Sequence, residues 1–522
     1  MVQSRGLGDV YKRQVLSSTG QGDRWSGLVM ESQYSNLLLD GTTLLEASPS
    51  IMFGGGNLAV DGGTISRSAS SRALIEVNEQ VGGSFSLSNM RLTDGSSSCI
   101  DIIESTIQLH ISNAEFYACN GPSIRAENAN VVINNIVIGE GSSDGFILSS
   151  IIGTIENVDA LEFKGAGNIF KLDYINNDLA ISNIVGTVGG SPGIAGSNNR
   201  NLNIESINLT GAPAIDFDYS SGIISDITLA GKGFGTAVIS HHGRYSDSLR
   251  LHGLDITNYA VGIDLHADGP DTTSPLIINN AIISSSTSLS IEDYPMQISN
   301  ADILGDAEIS GAIKVDFIDS QPIPQVSIYD GASVSYYQTV EFMAKYLDFV
   351  KPTTFEISVI YSNGTQEYFQ LEDTVGELAV KLATRYAQPS LDVNLQSIEI
   401  IASSSGHPTE SVNMTYSQLT QLDSAIVFSL RNNQPPQINS VSPTEIDTIM
   451  QSIPFESTID ATDDYDLASQ LNYQWIITDN TGSEVYSASV ENSTNLITLV
   501  LPGSYLLPVS YTHLRAHETG PY

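Results

Sequence analysis

Apolar and polar residues alternate with period two through much of the first 300 positions, and the alternation breaks at a recurring place. The hexapeptide apolar–polar–small–x–x–apolar recurs as LSNMRL, ISNAEF, INNIVI, IENVDA, ISNIVG, IESINL, ISDITL, LHGLDI, INNAII and ISNADI. Its third position is Asn89, Asn113, Asn135, Asn157, Asn183, Ser206, Asp226, Gly253, Asn280 and Asn300, spaced by 20 to 27 residues. Leu39-Asp-Gly41 and Val60-Asp-Gly62 are earlier copies. Asn, Asp and Gly tolerate the left-handed backbone region, and an Asn amide can bond the same amide one repeat away. Flanked by apolar and β-branched residues, such a position marks a sharp bend between two short strands. A second alternation follows about 12 residues later, as in Cys99-Ile-Asp-Ile102, Ser123-Ile-Arg-Ala126, Ala214-Ile-Asp-Phe217 and Gly262-Ile-Asp-Leu265. Each repeat therefore predicts one coil of three short strands with one face inward. The wandering spacing excludes a strict hexapeptide helix, and L-x-I-x-N is not the leucine-rich-repeat pattern.

After about residue 318 the ladder stops. Phe355, Ile357, Val359 and Tyr361 alternate into Asn363-Gly364, which predicts a hairpin. Thr374 to Glu377 has capping-box spacing, with Val375, Leu378, Leu382 and Tyr386 on one helical face before Pro389, which predicts a helix. The segment VEFMAKYLDFV fits helix and strand equally. Gln434-Pro435-Pro436 reads as a linker. Residues 1–14 and 509–522 have a basic and histidine content foreign to the rest. Both resemble translated sequencing-adapter read-through and are set aside from the fold, leaving a chain that is cut at both ends.

From Trp25 to about Ile313, including WSGLVMESQYSNLLLDGTTL, the chain resembles the right-handed parallel β-helix repeat proteins of the pectin-lyase-like fold. The stretch IPFESTIDATDDYDLASQLNYQWIITDNTG…LPGSYLL resembles PKD or related Ig-like modules, in Ala461, Tyr473-Gln-Trp475 and Pro502-Gly503-Ser504-Tyr505. That family's closing V-x-D strand is missing, so the module is truncated. The expected fold is thus all-β: a parallel β-helix solenoid over 15–318, a small β-rich domain with one helix over 319–434, and a truncated Ig-like β-sandwich over 435–508. The resemblance implies a fold that hosts lyases, hydrolases, adhesins and phage spikes, so it leaves the activity open.

Charge narrows the choice. Against 59 Asp and Glu stand 21 Lys and Arg, a net charge of −38. Such a surface repels nucleic acid and anionic lipid, and no apolar run is long enough for membrane insertion. Two cysteines exclude a disulfide-dense scaffold. Cys99 and Cys119 fall in the same loop region of adjacent coils but four residues out of register, so loop path decides whether they pair.

If Ile215, Phe217, Ile263 and Leu265 face the core, Asp216, Asp218, Asp264 and His266 face outward. In the intervening coil, burying Ala237 and Ile239 would turn Val238, Ser240 and His242 outward. The predicted candidate binding stripe is Asp216, Asp218, His242, Asp264 and His266. The hydrolase motifs NTD, DD, GHG and RIK of the resembled fold are missing, as is a lyase-like stack of Arg and Lys. Asp463, Asp464 and Asp466 place hard oxygens close together and are a calcium candidate. Two functions are carried forward. The first is a non-enzymatic, extracellular or cell-surface adhesin or scaffold that binds a polysaccharide or cell-surface glycan. The alternative is an extracellular polysaccharide lyase or glycoside hydrolase.

Overall fold

A computed structural model describes residues 9–12, 15–16, 27–47, 49–67, 71–78, 82–105, 107–141, 143–175, 179–242, 249–267, 274–320, 325–346, 355–371, 377–404, 407–419, 421–422, 424–430, 437–442, 446–449, 454–462, 472–479, 483–490, 494–497, 503–506 and 509–512. The chain divides into two compact units, one of residues 1–339 with 381–395, the other of 340–380 with 396–522.

The first unit is a parallel β-solenoid of about 12 turns. Two ladders of strands run along it. The longer includes Gly83–Thr93, Gln108–Tyr117, Asn130–Ile138, Ile152–Ala160, Leu179–Thr187, Leu202–Thr210 and Gly222–Ala230. Each pairs in parallel with the next coil, and the hexapeptide's third residue is skipped in the pairing. That residue is the predicted bend: φ lies between 50° and 64° at every one of the ten positions from Asn89 to Asn300. Gly41 and Gly62 take the same conformation, as expected of the first coils. The bend resets the alternation, so hexapeptide positions one, four and six all point inward, as Leu87, Met90 and Leu92 do.

Inside, like residues stack at the sheet spacing. Leu87, Ile111, Ile133, Ile155, Ile181, Ile204 and Ile224 form one buried column. Phe146 and Phe170 stack with centroids 4.6 Å apart. Each fully buried aliphatic contributes about 1.5–3 kcal/mol. Outside, the Asn amides bond along the axis: Asn113 Nδ2 donates to Asn89 Oδ1 (3.2 Å), Asn135 to Asn113 (2.9 Å) and Asn183 to Asn157 (3.0 Å). The amide ladder steps aside once, where Asn157 donates to Asn134 rather than Asn135 (2.8 Å).

The shorter ladder includes Ile100–Ile103, Ile124–Glu127, Phe146–Ser149, Phe170–Asp173, Ile194–Ser197, Ile215–Asp218 and Thr236–His242. Leu249–Ala267 and Leu276–Glu292 run through both ladders. A second left-handed bend closes the short strands, at Glu104, Asn128, Ser150, Tyr174, Asn198, Tyr219 and Asp293. Sequence reasoning missed it because its residue types follow no rule. Asn199, 1% exposed, ties the neighbouring coils: its Oδ1 accepts from Ile175 N (2.9 Å) and its Nδ2 donates to Leu172 O (3.0 Å). Cys99 and Cys119 form a disulfide, with Cα atoms 5.6 Å apart, so the loop path does bring them together.

Three expectations need correction. The ladder does not stop at 318: Lys314–Ile318 pairs in parallel with Ser333–Tyr337, and Asp319 continues the bend (φ 50°) in register with Asn300. Its carboxylate accepts from Thr339 N (2.5 Å) and Thr339 Oγ1 (2.6 Å). The position escaped notice because Ser320-Gln-Pro322 follows it instead of an apolar alternation. The capping-box helix is a strand, Glu377–Gln388, which turns through Pro389-Ser390 to pair with Leu391–Asn394. Val380 and Leu382 are buried with Lys381 exposed between them, so period two prevails over the coincident helical spacing. The stretches set aside also carry paired strands, Asp9–Lys12 in parallel with Leu37–Asp40 and Val509–Thr512 antiparallel to Asn472–Trp475.

The second unit holds antiparallel sheets. Phe355–Tyr361 forms the predicted hairpin with Gln366–Leu371, with Gly364 at φ 85°. Ser397–Ser404 and His407–Thr415 extend that sheet, burying Ile357, Val359, Ile398 and Ile400. Tyr416–Leu419 is the single helix among the described residues. VEFMAKY resolves as strand, within Ser333–Tyr346. Two smaller antiparallel sheets span 437–512, and Tyr473 to Trp475 lies in one of their strands.

Candidate functional site

Asp216 and Asp218 project outward from Ile215–Asp218 because Ile215 and Phe217 fill the core. Gly196 makes this possible: a Cβ there would stand 2.8 Å from a ring carbon of Phe217. Asp264 and His266 project the same way, with Ile263 and Leu265 buried. These four residues lie on one sheet face, as the alternation predicts.

The strand between them has the opposite phase from that expected. Ile215 pairs with Val238 and Phe217 with Ser240, and both partners are buried. Ile239 and His241 therefore point outward, and His241 takes the place assigned to His242. Ala-Val-Ile offers three apolar residues in a row, so hydrophobicity alone cannot set the phase. In the core Ser240 hydrogen-bonds the buried Tyr294 hydroxyl, whose pKa burial pushes up to about 12. A polar residue that reads as exposed is thus satisfied inside. His242 pairs with Ala267, and its side chain lies outside the described residues.

Two outward columns result. One runs Asp216, Ile239, Asp264, Ser290; the other Asp218, His241, His266, Glu292. The imidazoles of His241 and His266 stack with centroids 5.4 Å apart and planes at 20°. His266 Nε2 lies 3.0 Å from Asp264 Oδ1, and His266 Nδ1 lies 3.1 Å from Glu292 Oε2. The ring thus lies between two carboxylates of adjacent coils, hydrogen-bonded to Glu292 and within ion-pair distance of Asp264, whose buried Oδ1 has no hydrogen-bond partner among the described residues. The half-buried Asp216 carboxyl is held above the usual range, first by burial and then by the charge of Asp218, with His241 opposing. Glu292 escaped sequence reasoning, although Leu289 and Ile291 alternate around Ser290 as they should. Lys171 shares the first column two coils before Asp216, and its ammonium is 4.0 Å from Asp173.

Among the described residues no three His, Cys, Asp or Glu side chains are arranged to hold a metal ion. Asp463, Asp464 and Asp466 lie outside the described residues. No helix among the described residues is long and apolar enough to cross a membrane. Fold and site define a parallel β-solenoid bearing a carboxylate–imidazole stripe on its short-strand face. Compared with protein-family models, curated proteins and solved structures, the chain finds no match in any of the three.

Proposed function

We propose that this chain belongs to an extracellular or cell-surface protein, of the right-handed pectin-lyase-like β-helix class, that recognises a glycan without cleaving it. One observation carries the reading: the outward polar side chains of Asp218, His241, His266 and Glu292 stay in register over four successive coils. Strands repeat at about 4.8 Å along the axis, so the stripe presents hydrogen-bonding groups at regular steps to an extended polymer. Carboxylates and imidazoles accept from and donate to sugar hydroxyls, while the net charge of −38 disfavours polyuronates. The Cys99–Cys119 disulfide supports an oxidising compartment. The antiparallel sheets of 437–512 support a PKD or Ig-like spacer.

A second reading rests on Asp216. Asp216 and Asp264 are two coils apart, about 9.6 Å at the sheet spacing, close to the upper limit for the paired carboxylates of inverting glycosidases. A half-buried carboxyl with a raised pKa beside a second carboxylate suits a general acid. Against it, Asp264 is engaged by His266.

The two readings separate on purified protein presented with neutral and uronic-acid polymers, with and without chelator. Recognition predicts retention of neutral polymers with no new reducing or unsaturated ends. Bond cleavage abolished by Asp216→Ala or Asp264→Ala would establish the enzyme instead.

A further inference from the structure

Tyr174 and Tyr219 occupy the same corner of the solenoid, at the bend that closes the short strands. Tyr174 is 57% exposed and Tyr219 38% exposed. Register places them two coils apart: Asp173 pairs with Ser197 and Ser197 with Asp218, while Tyr174 N donates to Ser197 O and Asn198 N to Asp218 O. Both tyrosines sit in the left-handed region, at φ 55° and 49°. Elsewhere this corner uses Asn128, Asn198 and Asp293, which accept that conformation easily, and Glu104 and Ser150, which are smaller or more flexible than an aromatic ring. An aromatic there carries a steric cost, and Tyr174, more than half exposed, offsets little of it by burial. On the intervening coil the outward residues are the small Ala195 and the polar Ser197 and Asn198. Ser197 Oγ donates to Asp173 Oδ1 (2.8 Å), and Asp218 lies one coil on.

We infer that Tyr174 and Tyr219 form a two-ring platform on which a neutral β-1,4-linked glycan stacks alternate sugar rings along the solenoid axis. Two coils span about 9.6 Å, close to the length of a disaccharide, so sugars of the same orientation meet successive rings. The faces of the rings take the apolar faces of the sugars, and the Asp173, Ser197 and Asp218 side chains face their hydroxyls. Charge complementarity selects a neutral polymer, since both tyrosines directly follow aspartates on a strongly acidic chain. The platform continues into the column of Asp218, His241, His266 and Glu292, and this inference rests on the glycan-recognition reading of that face.

The test is calorimetric titration of the full chain with neutral β-1,4-linked gluco-oligosaccharides of increasing length. Affinity is expected to rise once an oligomer spans both rings, and Tyr174→Ala or Tyr219→Ala to weaken the longer oligomers roughly tenfold while leaving the shortest little changed. Tyr174→Phe and Tyr219→Phe, which keep the ring, should bind like the unaltered protein, and circular dichroism checks that each variant folds. Alanine variants that bind the longer oligomers unchanged would overturn the platform and leave the glycan-recognising face standing. If the unaltered protein binds none of the oligomers but retains another neutral polymer, the platform's ligand is wrong; if it retains no polymer at all, the recognition reading falls with it.

Discussion

Two recurring corners of the solenoid, the bend within the long strands and the bend that closes the short ones, take the left-handed region and are built from different residues. At the first, from Asn89 to Asn300, nearly every coil supplies Asn, Asp or Gly. At the second the series runs Glu104, Asn128, Ser150, Tyr174, Asn198, Tyr219. The backbone is the same in both, so stacking on neighbouring coils can impose the conformation on residues that do not favour it. The difference is in what the side chains do. Amides at the first corner bond one another along the axis and hold the coils in register. Side chains at the second, from Glu104 to Tyr219, lie at the surface beside the carboxylate–imidazole stripe. One corner is a structural spine; the other is a display edge.

The strongest test of that contrast is Asn113→Val. It removes the amide that links Asn89 and Asn135 and places a β-branched residue at φ 50°. Two ladder bonds at about 1 kcal/mol each and a left-handed penalty of about 1–2 kcal/mol predict a loss of about 3–4 kcal/mol, read as a lower urea midpoint. A loss no larger than that of Ser150→Val, at the second corner, would erase the distinction.

A smaller effect of opposite sign is expected at Tyr174→Asn. The new residue accepts the left-handed region, and the exposed ring it replaces fills no core, so the protein should gain about 1 kcal/mol in thermal or urea unfolding. Destabilisation there would show that the ring is part of the packing and not a displayed group.

The smallest effect concerns Asp216, where the display face meets the core. Its folded pKa is raised by burial and by Asp218, so the folded state holds the proton more tightly than the unfolded chain. The stability it contributes is full below the unfolded pKa and is lost as pH rises through the folded one. Asp216→Asn should therefore match the unaltered protein near about pH 3 and exceed it modestly at neutral pH, in paired urea titrations. A gain that is the same at both pH values would show that the carboxyl is not perturbed in the folded state.

Much of the solenoid is legible in the sequence because the first corner demands particular residue types at fixed places. The inward Ile and Leu columns follow from period two, and so do the outward positions of Asp216, Asp218, Asp264 and His266. Where a strand offers several apolar residues in succession, as Ala237, Val238 and Ile239 do, period two has no unique phase, and His241 stayed hidden behind His242. Asp319 was hidden because its second strand lacks the alternation, and Glu377–Gln388 because its apolar positions satisfy both periods.

The sequence by itself determined the coil: its length, its first bend, its inward columns and the strongly acidic surface. Local sterics and the alternation of side chains act within a few residues, so they can be read from the chain. Only the tertiary structure decided the phase of Thr236–His242, the Cys99–Cys119 pairing, the second bend and the gathering of Asp218, His241, His266 and Glu292 into one column. Those depend on which coil stacks on which and on how the loops between them run, and residues 20 or more positions apart meet only once the coils have closed on one another.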